Sequence, residues 1–299
     1  MNYPVYKLRD WVKKDRLNNY QLSRNPNAIG YLKNNIKSYY LFSENENINL
    51  IELYYKNNNI DNINWFLLSA NPNAIHLLRK NKDKISYYNL SINPNGIDLL
   101  LEKPENICWY NLCRNTNPRA IELLEKNPDK INWEFLSSNS SAIHILLKNQ
   151  EKIKWDFLSL NTNAKAIELL QKNPDKINWL NLSLNTSAIY LLKKYPNMID
   201  WNAISLNNEA IELIENNLNK INWYLLSTNS SAIHILENNQ DKINWDNLSS
   251  NPSIFILEYE QMRINNQQLE EDLLKVVLHP RRVFRNMELY GYDIDDMFD

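Results

Sequence analysis

Apolar residues along this chain recur at spacings of three and four, and the block that they form returns about every 22 residues. Ser23, Ser43, Ser69, Ser91, Cys113, Ser137, Ser159, Ser183, Ser205, Ser227 and Ser249 mark one place in successive blocks, and an Asn follows each of them two residues later. The block reads K-I-N-W-x-x-L-S-x-N-P-N-A-I-x-L-L-x-K-N-x-D, with two-residue insertions after Asn45, Asn115 and Asn161 and a further irregularity before Trp65. Spacings of three and four place side chains on one face of an α-helix, so each block predicts two short helices. In the segment 131–137, Asn132 is placed to cap the first, with Glu134 in its opening turn, and Trp133 and Leu136 share a face. The second opens at N-P or N-S: Asn71 caps, Pro72 takes the first helical position, and Ala74, Ile75, Leu77 and Leu78 are the apolar face.

Helices of about two turns are unstable alone, so their stability comes from stacking on neighbouring blocks. The expected fold is therefore all-α: an α-solenoid of about eleven 22-residue helix-turn-helix repeats with a helical C-terminal cap. Stacked at the usual 8–10 Å, the units would trace an arc on the order of 100 Å. A leucine-rich repeat has a compatible period but needs an L-x-L alternation for its strand, which the spacings here lack. The organisation expected is an N-terminal cap over residues 1–16, repeats over 17–258, and a helical cap with an acidic tail over 259–299. In the first block Asn19 stands in the Trp place, and after Asn251 the repeat gives way to a segment containing Pro280 and Gly291.

Composition narrows the function. Only 3 glycines occur in 299 residues, too few for a turn-rich β fold or a phosphate-cradling loop. A net charge of −2 gives no general attraction to nucleic acid or to an anionic membrane. No run of 18 apolar residues is present and the N-terminal stretch has no apolar signal segment, so we expect no membrane partner. Cys108 and Cys113 sit in one block, where they replace residues that are usually Asn and Ser, and suggest a reducing, intracellular setting rather than a disulfide or metal pair.

Nucleophilic triads, glycine-rich phosphate loops and zinc-ligand spacings are absent, so no enzyme, cofactor or metal site is expected. The x of A-I-x-L-L is held by Glu52, His76, Asp98, Glu122, His144, Glu168, Tyr190, Glu212 and His234, and a place that accepts such variety faces solvent or a groove. Its histidines are spread over too many blocks to share one ion. The recurrent Asn reads as a helix cap, the recurrent Ser as a small packing residue, and the recurrent Trp as core.

Function is better sought where blocks differ. Directly after the Trp place stand Tyr20, Tyr40, Phe66, Tyr88 and Tyr110, then Glu134, Asp156, Leu180, Asn202, Tyr224 and Asp246. Aromatic residues are enriched at binding hot spots, so the first five are candidate partner-binding residues. Lys84, Lys130, Lys152, Lys176, Lys220 and Lys242 form a basic ladder, largely offset by the acid that precedes most of them. Arg281, Arg282 and Arg285 are the candidate anion contact.

The block as it stands at Lys130–Leu147 and 61–78, with the ending L-H-P-R-R-V-F-R-N-M-E-L-Y-G-Y-D-I-D-D, resembles the Asn/Ile-rich repeats of uncharacterised proteins of giant DNA viruses of the mimivirus type. The resemblance spans roughly residues 17–295 and implies a viral origin, with location in the host cytoplasm or the virion. It carries over no catalytic residues. The expected function is a non-enzymatic protein–protein interaction scaffold of a giant virus, serving as a virion or assembly component or binding a host factor. The alternative is a nucleic-acid binder using Tyr stacking and the Lys ladder.

Overall fold

The computed structural model describes residues 4–32, 40–57 and 63–290. The chain is an all-α solenoid of eleven units, and it divides into two compact parts, 10–254 and a second made of 1–9 with 255–299.

Within 10–254 each unit begins with a helix of one to one and a half turns, such as Trp133–Ser138, capped by the Oδ1 of Asn132, which accepts from the Phe135 N–H at 3.1 Å. The second helix opens as a single 3₁₀ turn, Ser140–Ala142, and continues as the α-helix Ile143–Lys148. In blocks with a two-residue insertion it is one α-helix from its start, as in Pro118–Lys126 and Ala164–Lys172. The Asn of the closing K-N folds back to seal it: Asn149 Nδ2 donates to the Ile145 carbonyl at 2.8 Å. Leu136, Ala142, Ile143, Ile145 and Leu146 of this unit are buried, and their counterparts form a continuous core.

The recurrent Ser and Asn do more than pack and cap. Ser137 Oγ donates to the Trp133 carbonyl at 2.6 Å and accepts the N–H of Lys154, in the next unit, at 3.0 Å. Asn161 Oδ1 caps by accepting from the Asn163 N–H at 2.9 Å, while its Nδ2 donates to the Ser137 and Asn139 carbonyls of the preceding unit at 2.9 and 3.1 Å. Cutting the amide's second role would strand a buried carbonyl, so one residue type satisfies the turn and rivets the layers together. The pattern recurs along the stack, at Asn71, Asn93, Asn115, Asn139, Asn185, Asn207, Asn229 and Asn251. In the second unit, Asn45 Nδ2 likewise reaches the Ser23 carbonyl.

This bonding does not stop at the first unit. Asn25 Nδ2 donates to the Ser249 and Asn251 carbonyls at 3.1 and 2.8 Å, and Asn18 N–H donates to Ser249 Oγ at 2.8 Å. Asn27 Nδ2 reaches the Pro252 carbonyl at 3.0 Å, and the helix Asn19–Leu22 packs on Trp245–Ser250. The eleventh unit is thus bonded to the first as each unit is to the next, and the expected open arc is a closed ring. Eleven similar steps return to their start only if each turns by about 33° with almost no net rise. The units are wedges: neighbouring first helices lie against each other along their length, whereas neighbouring second helices meet chiefly through their opening turns. The narrow edge, formed by the first helices, faces the ring axis.

Cys113 occupies a ring Ser place, and its Sγ accepts the Asn132 N–H at 3.3 Å. Burial pushes its thiol pKa up, which the Asn132 N–H only partly opposes, so the group stays a neutral thiol at physiological pH. Cys113→Ser restores the stronger oxygen acceptor, and is expected to be neutral or to stabilise by up to about 1 kcal/mol, read from the urea midpoint. In the intact protein, iodoacetamide is expected to label the half-buried Cys108 before Cys113, read by peptide mass spectrometry.

In the other part, strand Tyr6–Leu8 pairs antiparallel with Phe255–Leu257, placing Lys7 opposite Ile256. The helices Tyr259–Val277 and Pro280–Tyr290 follow, with Ile264, Leu273, Leu274, Val276 and Phe284 exposed.

Candidate functional site

Each first helix turns its Leu and Ser toward the second helix and exposes the opposite side, which faces the centre of the ring. That inner wall is made of three places per unit: the residue after the Trp position, the next one, and the residue between Ser and Asn. Phe66, Tyr88 and Tyr110 are 53, 50 and 47 % exposed on it, so the rings are not consumed in the core. Phe66 and Tyr88 lie nearly parallel, with centroids 6.3 Å apart and planes inclined by 14°. Tyr110 turns its edge to Phe135 at 4.3 Å, and Phe135 meets Phe157 of the next unit at 6.0 Å. Two independent ring pairs therefore give the same rise of about 6 Å per unit along the wall.

The other candidates in this stripe are placed differently. Tyr20 is half-buried and has an interaction partner. Tyr40 begins the turn Tyr40–Glu44, and its side chain lies outside the described residues. Beyond Tyr110 the wall carries exposed Glu134 and Asp156, beside an open hollow of about 330 Å³ with Lys154, Trp155 and Phe157. Asp156 Oδ1 accepts from Asn178 Nδ2 at 3.3 Å, and Asp246 Oδ1 from Asn18 Nδ2 at 3.0 Å across the closing seam. Glu134 has no hydrogen-bond or ion-pair partner among the described residues. Leu180 and Tyr224 are also exposed at this place, so the apolar character returns on later units.

The lysine ladder sits over indole faces. Lys152, Lys176, Lys220 and Lys242 hold their ammonium groups 4.7, 4.5, 4.8 and 4.7 Å from the centroids of Trp133, Trp155, Trp201 and Trp223, each in the preceding unit. Arg16 takes the same role across the seam, 4.9 Å from the Trp245 ring. Lys130 pairs with Asp129 at 3.4 Å. The ladder's cations thus help to join successive units, a role that sequence pairing with adjacent acids did not reveal.

The A-I-x-L-L stripe lies on the second helices, away from the inner wall. Asp98, Glu122, His144, Glu168, Tyr190, Glu212 and His234 are exposed, while Glu52 and His76 are half-buried. Several pair between units: His76 with Glu52 at 3.2 Å, His144 with Glu125 at 3.0 Å, His234 with Glu215 at 2.6 Å and Lys193 with Glu212 at 2.6 Å. The exposed pairs among these contribute little, and His144→Ala is expected to change stability by less than about 0.5 kcal/mol in urea titration at pH 7.

Arg281, Arg282 and Arg285 are exposed on Pro280–Tyr290, and the acidic tail lies outside the described residues. Among the described residues no group of three or more His, Cys, Asp or Glu could hold a metal, and no helix is long and apolar enough to cross a membrane. Compared with family models, curated proteins and solved structures, the chain matches none.

Proposed function

We propose that this chain is a non-catalytic binding ring that holds a protein partner against its inner wall, acting as a scaffold. In the viral setting that the repeat resembles, the partner would be a virion or assembly component or a host factor. The observation that carries this reading is the exposure of Phe66, Tyr88 and Tyr110 on three consecutive units of the inner wall. Rigid exposed aromatics give a binding surface large contact area at little entropic cost.

Charge favours protein over nucleic acid as the occupant. The ionised side chains at the described wall places are Arg24 and Arg114 against Glu44, Glu134, Asp156 and Asp246, and Arg24 is already paired with Glu44 at 2.9 Å. A wall with excess negative charge repels a phosphodiester chain, and four of the six ladder lysines that would attract one are seated on indoles.

The test is a pull-down of the tagged chain from infected host cells, with and without nuclease, read by mass spectrometry. Partners that persist through nuclease and are lost in the Phe66→Ala, Tyr88→Ala, Tyr110→Ala triple variant support the reading. Partners that vanish with nuclease overturn it in favour of nucleic acid.

A further inference from the structure

The helix Tyr259–Val277 is the longest described, at 19 residues, and none of its described residues is buried. A helix in a folded domain ordinarily gains most of its stability by covering an apolar face, and here that face stands open. Its residues are nevertheless ordered. Tyr259, Met262, Asn266, Leu269, Leu273 and Val276 alternate at spacings of three and four, the a/d seam of a heptad with one polar member. Strict alternation gives a narrow stripe, unlike the wider apolar face of the second helices in the ring. Tyr259, Leu273 and Val276 are 73, 59 and 55 % exposed, and Val277 beside them is 44 % exposed, so no described residue covers these places. The alternation resumes in the same phase in Pro280–Tyr290, where Val283, Met287 and Tyr290 take the d, a and d places.

The pattern of the stripe points to a second copy of the same helix. A narrow a/d seam fits another of its kind, each side chain entering a hole between four residues of the facing helix. Asn266, at an a place, meets its own counterpart only when the two helices are parallel and in register. An antiparallel pair would set its amide against an apolar d residue. The flanking charges agree with the parallel register. Glu258 at g of one copy falls opposite Arg263 at e of the other, followed by Asn265 opposite Glu270 and Asp272 opposite Val277, so no like charges face each other. The same helix disfavours an anionic lipid surface, since it carries Glu260, Glu270, Glu271 and Asp272 against Arg263 and Lys275.

We propose that Tyr259–Val277 is a self-association element that joins two copies of this chain as a parallel, in-register coiled-coil dimer. The pairing is isologous, so it closes at two copies and does not propagate. It is independent of what the ring holds, and it gives each particle two inner walls. A 19-residue seam is about 28 Å long, short for a coiled coil, so the dimer should dissociate on dilution.

The experiment is sedimentation velocity with light scattering on the full-length chain, from micromolar to submillimolar concentration. The expected result is a reversible shift between the 35.6 kDa chain and twice that mass, with no larger species. Leu273→Gln with Val276→Gln should weaken the association at least tenfold. Ile264→Gln removes an apolar side chain about as exposed as Leu273 but at an f place, opposite the seam, and should leave it unchanged. Asn266→Leu should add species larger than a dimer. Met262→Cys should form a disulfide-linked dimer in glutathione redox buffer, which the parent chain with Cys108 and Cys113 should not. A chain that is monomeric at every concentration overturns the proposal, as does a dimer that is insensitive to the Leu273 and Val276 pair or equally weakened by Ile264→Gln. Failure of Met262→Cys to cross-link overturns the parallel register. A monomer that sediments with vesicles of anionic phospholipid assigns the helix to a lipid surface instead. Leu273, Val276 and Ile264 are exposed, and circular dichroism melting confirms that the ring is intact in each variant. The double Gln chain also supplies the monomeric background on which any association through the ring itself is measured.

Discussion

A chain carrying Trp245→Ala together with Asn25→Asp is expected to open at the junction between its first and last units. Trp245 is the most deeply buried of the ring tryptophans, 7 % exposed, with Trp11 edge-on at 6.5 Å and Arg16 over its face. Truncating such a side chain costs roughly 3–5 kcal/mol. Asn25→Asp turns a donor that serves two carbonyls into an acceptor facing them, and each buried group left unsatisfied costs about 1–3 kcal/mol. The junction is the one place in the ring where no peptide bond joins adjacent units, so the loss falls on closure itself. Once open, the exposed face of the first unit is complementary to that of the eleventh, a heterologous pair that joins chains head to tail. Small-angle scattering should show a larger radius of gyration, and sedimentation velocity should show association that grows with concentration. The interior counterpart, Asn161→Asp, should lower stability without such association, because the chain still links its neighbours. A seam variant that stays monomeric and compact would mean that closure does not depend on these contacts.

The second large effect is expected from Asn161→Leu. The substitution leaves the Asn163 N–H and the Ser137 carbonyl without their side-chain partner, and leaves the Asn139 carbonyl only the Ala142 N–H. Asn161 is fully buried, so water cannot replace the lost bonds without opening the joint. The cost should be roughly 2–5 kcal/mol, a substantial share of a typical folding free energy. Asn216→Ala, which removes an exposed bond to the Glu212 carbonyl, should cost less than about 0.5 kcal/mol. Urea unfolding followed by tryptophan fluorescence compares the two. Equal midpoints would refute the inter-unit role of the buried amide.

The double use of Asn explains what could be read ahead of the structure. Its capping oxygen acts within two residues, at Asn163 for Asn161, and Ser/Asn followed by a helical pattern announces that directly. Its amide acts 22 and 24 residues away, and only the stacking geometry decides which carbonyls it meets. The lysine ladder divides in the same way. An acid before most of these lysines suggested a local pair, but the ammonium of Lys152 instead lies over the Trp133 indole of the preceding unit, a contact that only the stacking provides. For the aromatic stripe, position in the block was sufficient to single out Phe66, Tyr88 and Tyr110, whereas exposure and parallel stacking depend on where neighbouring helices lie.

Spacing, caps and the recurrence of one block by themselves determined the unit: two short helices, their ends, their buried faces and their number. These are local properties, set within about 22 residues. Whether the stack remains an open arc or closes was decided by the tertiary structure, because the rotation per unit comes from how Ser, Asn and Trp fit between neighbouring first helices. A few degrees of error in that angle accumulate over eleven steps, enough to separate the ends or to make them collide. The first unit bears the trace of closure in its residues: it lacks the Trp but retains Arg16, Asn18, Asn25 and Asn27, the groups that bond to the last unit. That retained set acquires its meaning only when Trp245 and Ser249 arrive beside it.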